Sequence, residues 1–458
     1  MERLTEEQRA TFEARMETLW NARQEELAKA QEGLADLPGM LKERIIVIKE
    51  YLDDVGGGLG RILDDRRTRR SRRVDDDDDN NNDGNRGNDN DEDNDGVVRD
   101  VVGALRDLEY LLSDVDMARD FHTLGGWSPL VTLLDDRHRA TAASSDDEDE
   151  DVDEEAAILV DEIRALAAMT IGTAVGNMGE FRPWALEDVS YTSSSSSSPP
   201  PPPPSSGWMR NRDQASAVSL LISSFKRELA SRSTEGMGGG TMAVAIPSEA
   251  RYVARATYHL RATYALGSLL RGNPLAQRYF VANDGPEALV RIAIGTLSNA
   301  RGPRASANRK TAMLDYKLSS RVLSLGEDVV MDVVLHGEDY DGIVDDADDE
   351  GVSSTTSNRL VAAFTTERWC DLSLRMLSTP SDVIGAVPTR GIRQRALTAV
   401  RALAPACRER GGDATWGLDG VKRARSEWNR EGSDDGLDPV YRKELLDLTD
   451  EVLREMRE

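Results

Sequence analysis

The residues best able to carry chemistry, four histidines and two cysteines, are scattered along the chain. His122 and His138 stand at or near predicted helix ends, while His259 stands inside a predicted helix. A packed or solvated histidine is more common in such positions than a catalytic base. No Gly-x-Ser-x-Gly nucleophile turn and no Gly-x4-Gly-Lys-Ser/Thr phosphate loop occurs. The sequence therefore predicts no catalytic site, and we expect that the chain is not an enzyme.

Metal and cofactor sites have no better support in the sequence. Cys370 and Cys407 belong to no Cys-x-x-Cys pair and to no Cys/His cluster of the kind that binds zinc. The acidic runs lack the glycine and the alternating ligands of a calcium loop. We expect no metal and no cofactor, and a disulfide between the two cysteines only in an oxidising compartment.

A repeated spacing indicates which elements must position any functional surface. Residues 278–290 follow the pattern RxFx4Gx3LV, and residues 119–131 follow the same pattern. A partial copy at 177–188 reads NxxxxRxWxxxD and parallels 273–284. Gly and Asn after one apolar helix, then Pro at the start of the next, mark a helix end and a helix start. Three-helix units in series predict an all-α, armadillo-like α-solenoid of about four units.

The chain divides into three predicted parts. Residues 1–54 form an N-terminal helical region, either a pair of partner-seeking helices or a support for the first unit. Residues 55–96 form a linker whose basic octet at 66–73 favours charge neutralisation over nuclear import or nucleic-acid binding. Residues 97–458 form the armadillo-like domain, which ends in a capping helix. Low-complexity insertions, predicted to be disordered, are placed in that domain at 141–155, 191–214 and 337–357.

Charge is unevenly distributed. The net charge is -26, but residues 75–95 and 146–155 contribute about -10 and -9, so the remainder is only mildly acidic. Such a chain is not expected to bind nucleic acid. No apolar run is long enough to span a bilayer.

Several segments resemble one family of α-solenoid proteins. Residues 108–126 (LEYLLSDVDMARDFHTLGG) resemble the opening armadillo unit of nucleotide exchange factors for DnaK-type heat-shock chaperones. Residues 276–280 (AQRYF), with the glycine and leucine that follow at 285 and 289, resemble their third unit. Residues 368–377, 392–410 and 441–457 resemble the endoplasmic-reticulum branch of the family, the exchange factors of the chaperone BiP. A cytosolic branch is a more distant relative.

The resemblance implies a co-chaperone that binds the ATPase domain of a DnaK/BiP-type chaperone and promotes release of ADP, supporting protein folding and translocation. It implies a monomer in the lumen of the endoplasmic reticulum. The first residues, MERLTEEQRA, do not resemble a signal peptide. No glycosylation acceptor and no KDEL-like terminus occurs. These departures leave a cytoplasmic location open.

In such families the concave face of the solenoid grips one lobe of the ATPase domain. The candidate contacts are non-core positions on the long third helices. They are Arg164, Met169, Thr173, Tyr258, Arg261, Tyr264, Ser268 and Arg271. The resemblance also suggests that the N-terminal helices, anchored by Phe12 and Trp20, touch the client-binding part of the chaperone.

Two other functions stay open. An armadillo scaffold or adaptor could hold an extended peptide, but it would carry regular Asn and Trp ladders, and here Asn177 and Asn273 occur only at predicted helix ends. An enzyme with an unrecognised site would need a convergent cluster of His, Cys or acidic residues, which the spacing does not predict.

Overall fold

The computed structural model describes residues 20–21, 24, 37–55, 91–135, 150–176, 178–189, 215–237, 248–300, 309–341, 356–377, 389–411, 417–430 and 439–457. All regular secondary structure in these residues is helical. The predicted all-α class is therefore confirmed.

Fifteen α-helices and one 3-10 helix occur in the described residues. The first eight α-helices are α1 (Leu37–Val55), α2 (Asp91–Leu111), α3 (Val115–Thr123), α4 (Trp127–Thr132), α5 (Glu150–Val175), α6 (Ala217–Met237), α7 (Glu249–Leu270) and α8 (Pro274–Ala282). The other seven are α9 (Gly285–Ala300), α10 (Arg309–Asp341), α11 (Thr356–Phe364), α12 (Glu367–Leu377), α13 (Thr389–Gly411), α14 (Leu418–Arg430) and α15 (Pro439–Glu455). The 3-10 helix spans Gly179–Leu186, between α5 and α6.

The helices form the predicted series of three-helix units. The units are α3–α4–α5, then the 3-10 helix with α6 and α7, then α8–α9–α10, and last α11–α12–α13. Their third helices, α5, α7, α10 and α13, pack side by side in chain order, and α2 packs on α5 ahead of them. One hydrophobic core runs through all the units, as a solenoid of stacked repeats requires.

The third helices run parallel, as the order of their cross-contacts shows. Tyr252, early in α7, donates a hydrogen bond to Asp315, early in α10, at 2.6 Å. Arg271, just past the end of α7, pairs with Asp328, further along α10, at 2.8 Å. Parallel packing places the same face of each third helix on the same side of the molecule.

The repeated Phe-x4-Gly spacing has a packing reason. In α3 the ring of Phe121 lies against Gly126, and in α8 the ring of Phe280 lies against Gly285. A β-carbon at either glycine would overlap the ring, and both rings are fully buried. The motif lets the first helix of a unit fold its aromatic ring onto the turn before the second helix.

The predicted helix boundary at 272–274 is confirmed. Gly272 adopts a left-handed φ of 58°, which favours glycine. The side chain of Asn273 accepts a hydrogen bond from the backbone N–H of Ala276 and so caps α8, where Pro274 occupies the first turn. The amide of Asn273 also donates to the carbonyl of Arg182 at 2.8 Å, which ties this turn to the preceding unit.

At the N-terminal end, α1 packs against α2, α3 and α4. Leu41, Ile45, Ile48 and Leu52 of α1 are buried in the main core. This helix therefore supports the first unit. The helix predicted at 4–32, with Phe12, lies outside the described residues apart from Trp20, Asn21 and Gln24.

Other predicted segments also lie outside the described residues, including the basic octet, the linker before residue 91 and the insertion at 191–214. Three helices, α5, α10 and α11, extend into segments predicted as insertions, and α2 begins inside the predicted linker at 55–96. Helix α5 begins at Glu150, and α10 continues to Asp341 with a kink at His336. Acidic residues favour the first turn of a helix, where they meet its positive dipole end, so the acidic run before residue 156 is compatible with the start of α5.

The last unit carries a disulfide. Cys370 of α12 and Cys407 of α13 are bonded, with Cα atoms 6.1 Å apart, and both side chains are buried. The bond joins the second helix of the unit to the third. Beyond it, α15 packs on α13 and α14. Arg401 pairs with Glu455 at 2.5 Å, and Arg425 pairs with Asp450 at 2.6 Å.

Candidate binding face on the third helices

The third helices α5, α7 and α10 each leave a row of residues, spaced three, four or seven apart, at least partly exposed. This spacing places the residues of a row on one face of the helix. We call the combined surface the ladder face. Its members are Ile158, Glu162, Met169 and Thr173 on α5; Thr257, Arg261, Tyr264, Ser268 and Arg271 on and after α7; and Lys310, Lys317, Arg321, Ser324 and Asp328 on α10.

The ladder face contains a groove of about 610 Å³ that spans α2, α5, α7 and α10. Arg106, Glu162, Arg261 and Lys310 line it, one from each of the four helices. Apolar side chains between them, such as Val253, make up much of the remaining lining. The groove therefore crosses the solenoid and joins three successive units into one surface.

The groove has a small excess of positive charge, because three basic side chains and two acidic ones, Glu162 and Glu249, line it. Arg106 pairs with Glu162 at 3.4 Å. Arg261 and Lys310 have no ion-pair partner within the described part of the chain. These two side chains are available to an acidic surface, and partial enclosure strengthens such a pairing relative to open solvent.

A second group of polar side chains lies where α7, α10 and α13 meet. The guanidinium of Arg321 lies 5.7 Å from the ring centroid of Tyr264. Partial burial and the neighbouring charge of Arg395 lower the pKa of Arg321. Glu327 accepts a hydrogen bond from the hydroxyl of Thr398 at 3.1 Å. Burial raises the pKa of Glu327 to about 7, so this carboxyl changes charge near neutral pH.

At the C-terminal end of α7 the face contains a smaller hollow of about 270 Å³. Ser268, Arg271 and Asp332 are among its lining residues. Asp332 accepts hydrogen bonds from the backbone N–H of Gly272 and from the side chain of Gln277, both at 2.9 Å. These bonds hold the end of α7 against α10.

Six of the eight predicted contact residues lie on the ladder face. They are Met169, Thr173, Arg261, Tyr264, Ser268 and Arg271. The structure brings them onto one side of the molecule because α5 and α7 are parallel and in register. Gly172 of α5 permits this close approach, since a β-carbon there would meet the ring of Tyr264 at 2.6 Å.

Arg164 and Tyr258 are corrections to the sequence-based choice, because both are interior residues. The guanidinium of Arg164 donates a hydrogen bond to the hydroxyl of Tyr258 at 3.1 Å. Their rows point into the α5–α7 junction. The groove is lined instead by Glu162 and Thr257, which lie two and one positions earlier. A shift of one residue turns a helical side chain by about 100°, so an error of one position moves it off the face.

Sequence reasoning also missed Arg106, Lys310, Lys317 and Arg321. A signal for three of them was present, because Lys310, Lys317 and Arg321 recur at intervals of seven and four, and Thr257, Arg261, Tyr264 and Ser268 recur at intervals of four and three. The two rows share one face because of the way α7 packs on α10. The spacing within either helix does not predict this packing.

The described residues also show where the histidines lie. His259 is buried and packs against the ring of Phe225, with centroids 5.4 Å apart. His122 stacks on Trp184 and pairs with Glu187 at 2.6 Å. Among the described residues, no group of three or more His, Cys, Asp or Glu side chains could hold a metal ion. Asn273 is buried as a helix cap and does not line the groove, unlike the asparagine of a peptide-binding ladder.

None of the helices that the structure describes combines the length and the apolar character needed to cross a membrane.

Fold and face together define an armadillo-like α-solenoid with a grooved, polar surface along its third helices. The chain is 25% identical over 201 residues to the nucleotide exchange factor SIL1 of Mus musculus. The match covers 42% of this chain and 37% of the mouse protein, so the chain matches little more than a third of that relative's length. Neither a protein-family model nor a solved structure matches the chain.

Proposed function

We propose that this chain is a nucleotide exchange factor, a co-chaperone that binds the ATPase domain of a DnaK/BiP-type chaperone through the ladder face and promotes release of ADP. The observation that carries the proposal is the continuous polar face on parallel third helices, in a chain similar to a nucleotide exchange factor. The surface extends over three units, as contact with a folded lobe requires. A small-molecule site would be more enclosed.

The mechanism needs no catalytic group. Suppose that the ladder face binds the chaperone better when its nucleotide cleft is open. Binding of this protein then lowers the chaperone's affinity for ADP, and ADP lowers its affinity for this protein by the same factor. A hundredfold effect on ADP affinity corresponds to roughly 2.7 kcal/mol of differential binding. A rigid, disulfide-linked solenoid suits this role, since a deformable one would adapt to both states of the cleft.

We further propose that the protein acts in the lumen of the endoplasmic reticulum, with BiP as its partner. The buried Cys370–Cys407 disulfide supports this compartment, because such bonds persist in oxidising environments and are rare in the cytosol. The partial similarity to the mouse protein is compatible with it.

The test is release of a fluorescent ADP analogue from purified BiP and from a cytosolic DnaK-type chaperone, each with and without this protein. Accelerated release from BiP alone is the expected result. Accelerated release from the cytosolic chaperone alone would contradict the proposed compartment and favour the cytosol. A folded, helical protein that accelerates neither would contradict the proposed function and favour the peptide-scaffold alternative.

A further inference from the structure

The C-terminal part of α10 exposes a cluster of large apolar side chains. Met331, Val334 and Leu335 are 39%, 65% and 68% exposed and lie within little more than one helical turn. Single exposed apolar residues are ordinary on protein surfaces, whereas a contiguous group is characteristic of interaction sites. We call these three residues the apolar end.

Two residues of the apolar end, Met331 and Leu335, continue the ladder face, and Val334 lies on the flank beside Met331. Met331 follows Lys317 and Ser324 at intervals of seven, and Leu335 follows Arg321 and Asp328 at the same interval. The backbone is helical up to the kink at His336 (φ -126°, ψ 27°). The row that is basic in the first half of α10 therefore becomes apolar in the second half without leaving the same side of the helix.

The position of the apolar end is fixed by neighbouring contacts. Asp332 binds the backbone N–H of Gly272, which lies past the end of α7. The following residues, Val334 and Leu335, thus project beyond α7. On the opposite side of the helix Val333 is buried with Leu360 of α11, which anchors this part of α10 and directs its neighbours outward.

The small size of the cluster decides what kind of occupant fits. A stable interface buries about 800 Å² on each partner, and three side chains supply only a fraction of that. The apolar end is therefore too small to hold a second copy of this chain by itself. It suits one anchor within a larger interface, and the surface continuous with it is the ladder face.

We propose that the apolar end is a second anchor for the chaperone ATPase domain that binds the ladder face, an inference that rests on the proposed function. The partner must then present an acidic surface to Lys317 and Arg321 and an apolar patch to Met331 and Leu335. Leu335 lies fourteen positions after Arg321 on the same side of the helix, which places the two partner features about 21 Å apart.

The test compares the double substitution Met331→Ser and Leu335→Ser with the unmodified full-length chain. Binding to full-length BiP and to a full-length cytosolic DnaK-type chaperone is measured at two salt concentrations. Both side chains are exposed, so the fold and the helical circular-dichroism signal are expected to be retained. Val440→Ser provides the matched control, because Val440 is 64% exposed but lies on α15, away from the ladder face.

We expect the double substitution to weaken chaperone binding about tenfold or more without changing its dependence on salt. The Val440 variant should bind like the unmodified chain. Unchanged affinity of the double variant, in an experiment where the unmodified chain binds, would overturn the inference and leave the proposed function intact. Absence of chaperone binding by the unmodified chain would contradict both the inference and the proposed function. A dimer of the unmodified chain that the double substitution converts to a monomer would also overturn the inference.

Discussion

The guanidinium of Arg164 lies over the ring of Tyr258, 4.1 Å from its centroid, and joins two successive units of the solenoid. Arg164 also donates to the carbonyl of Leu134, just past the end of α4, at 3.2 Å. The hydroxyl of Tyr258 in turn donates to Ser224 of α6, at 2.8 Å. The contacts cross from one unit to the next entirely within the interior, so they hold the third helices in the register on which the ladder face depends.

Truncating Arg164 should destabilise the protein more than trimming Tyr258. Arg164→Ala removes the positive charge that lies 3.5 Å from the buried carboxylate of Asp161, and we expect a loss of about 3–5 kcal/mol. Tyr258→Phe removes only the hydroxyl and should cost about 1–3 kcal/mol. Urea unfolding checks both values. Equal losses would contradict the assignment of Arg164 as the centre of this junction.

Charge reversal in the groove should weaken chaperone binding in a salt-dependent manner. We expect Arg261→Glu combined with Lys310→Glu to lower affinity about tenfold at low salt, and less at high salt, since exposed charges are screened. Arg423→Glu combined with Arg430→Glu on α14 changes the net charge equally, away from the ladder face. Calorimetric titration against the chaperone measures the affinity of each double variant. Equal effects of the two pairs would indicate a non-specific influence of net charge.

Glu327 should make stability depend on pH between about 4.5 and 7. Burial, with a smaller contribution from Asp328, raises the pKa of this carboxyl from 4.5 to about 7, although the Thr398 hydrogen bond and Arg395 act in the opposite direction. Its contribution to stability is therefore fully present below pH 4.5 and is lost as the pH rises through 7.

The variant Glu327→Gln isolates this effect, because glutamine remains neutral and can still accept from Thr398. After allowance for solvent screening, we expect the variant to be about 1–2 kcal/mol more stable than the unmodified chain at pH 8. The difference should vanish near pH 4.5. A stability difference that does not vary with pH would show that Glu327 does not titrate in this range.

The disulfide should contribute substantially to stability. It closes a loop with a sequence separation of 37 residues, for which the chain-entropy relation gives about 3–4 kcal/mol. Replacing Cys370 and Cys407 with alanine should lower the free energy of unfolding by that amount under oxidising conditions. Under reducing conditions the gap should close, apart from a small packing difference. A gap that persists after reduction would assign the effect to packing.

Two glycines offer a matched test of the repeat. Gly285→Ala places a methyl group against the buried ring of Phe280, and we expect it to cost about 1–3 kcal/mol. Gly267→Ala, within α7, meets nothing within 4 Å and should stabilise the helix by about 0.5–1 kcal/mol. Thermal unfolding of the two variants should therefore shift in opposite directions. If both substitutions destabilise the protein, helix propensity alone does not determine the effect of Gly267→Ala on stability.

The helices and their order could be predicted from the sequence because those features are local. Apolar periodicity, the Asn273–Pro274 cap and the Phe-x4-Gly spacing all act within a few residues of one another. Helix ends in acidic segments were less well predicted. The kinked end of α10, for example, is held by a hydrogen bond at 3.2 Å from Ser357 to the carbonyl of Gly337, across an intervening segment of the chain.

The tertiary structure alone decided which side chains reach the surface. Arg261 and Arg164 have the same residue type, and both lie on third helices, yet one lines the groove and the other is buried beneath Tyr258. The same holds for the Cys370–Cys407 bond, whose formation requires α12 and α13 to pack within bonding distance. The sequence by itself determined a solenoid of three-helix units, because its signals are short-range. The ladder face could be located only in the tertiary structure, because side-chain exposure depends on the rotation of each helix against its neighbours.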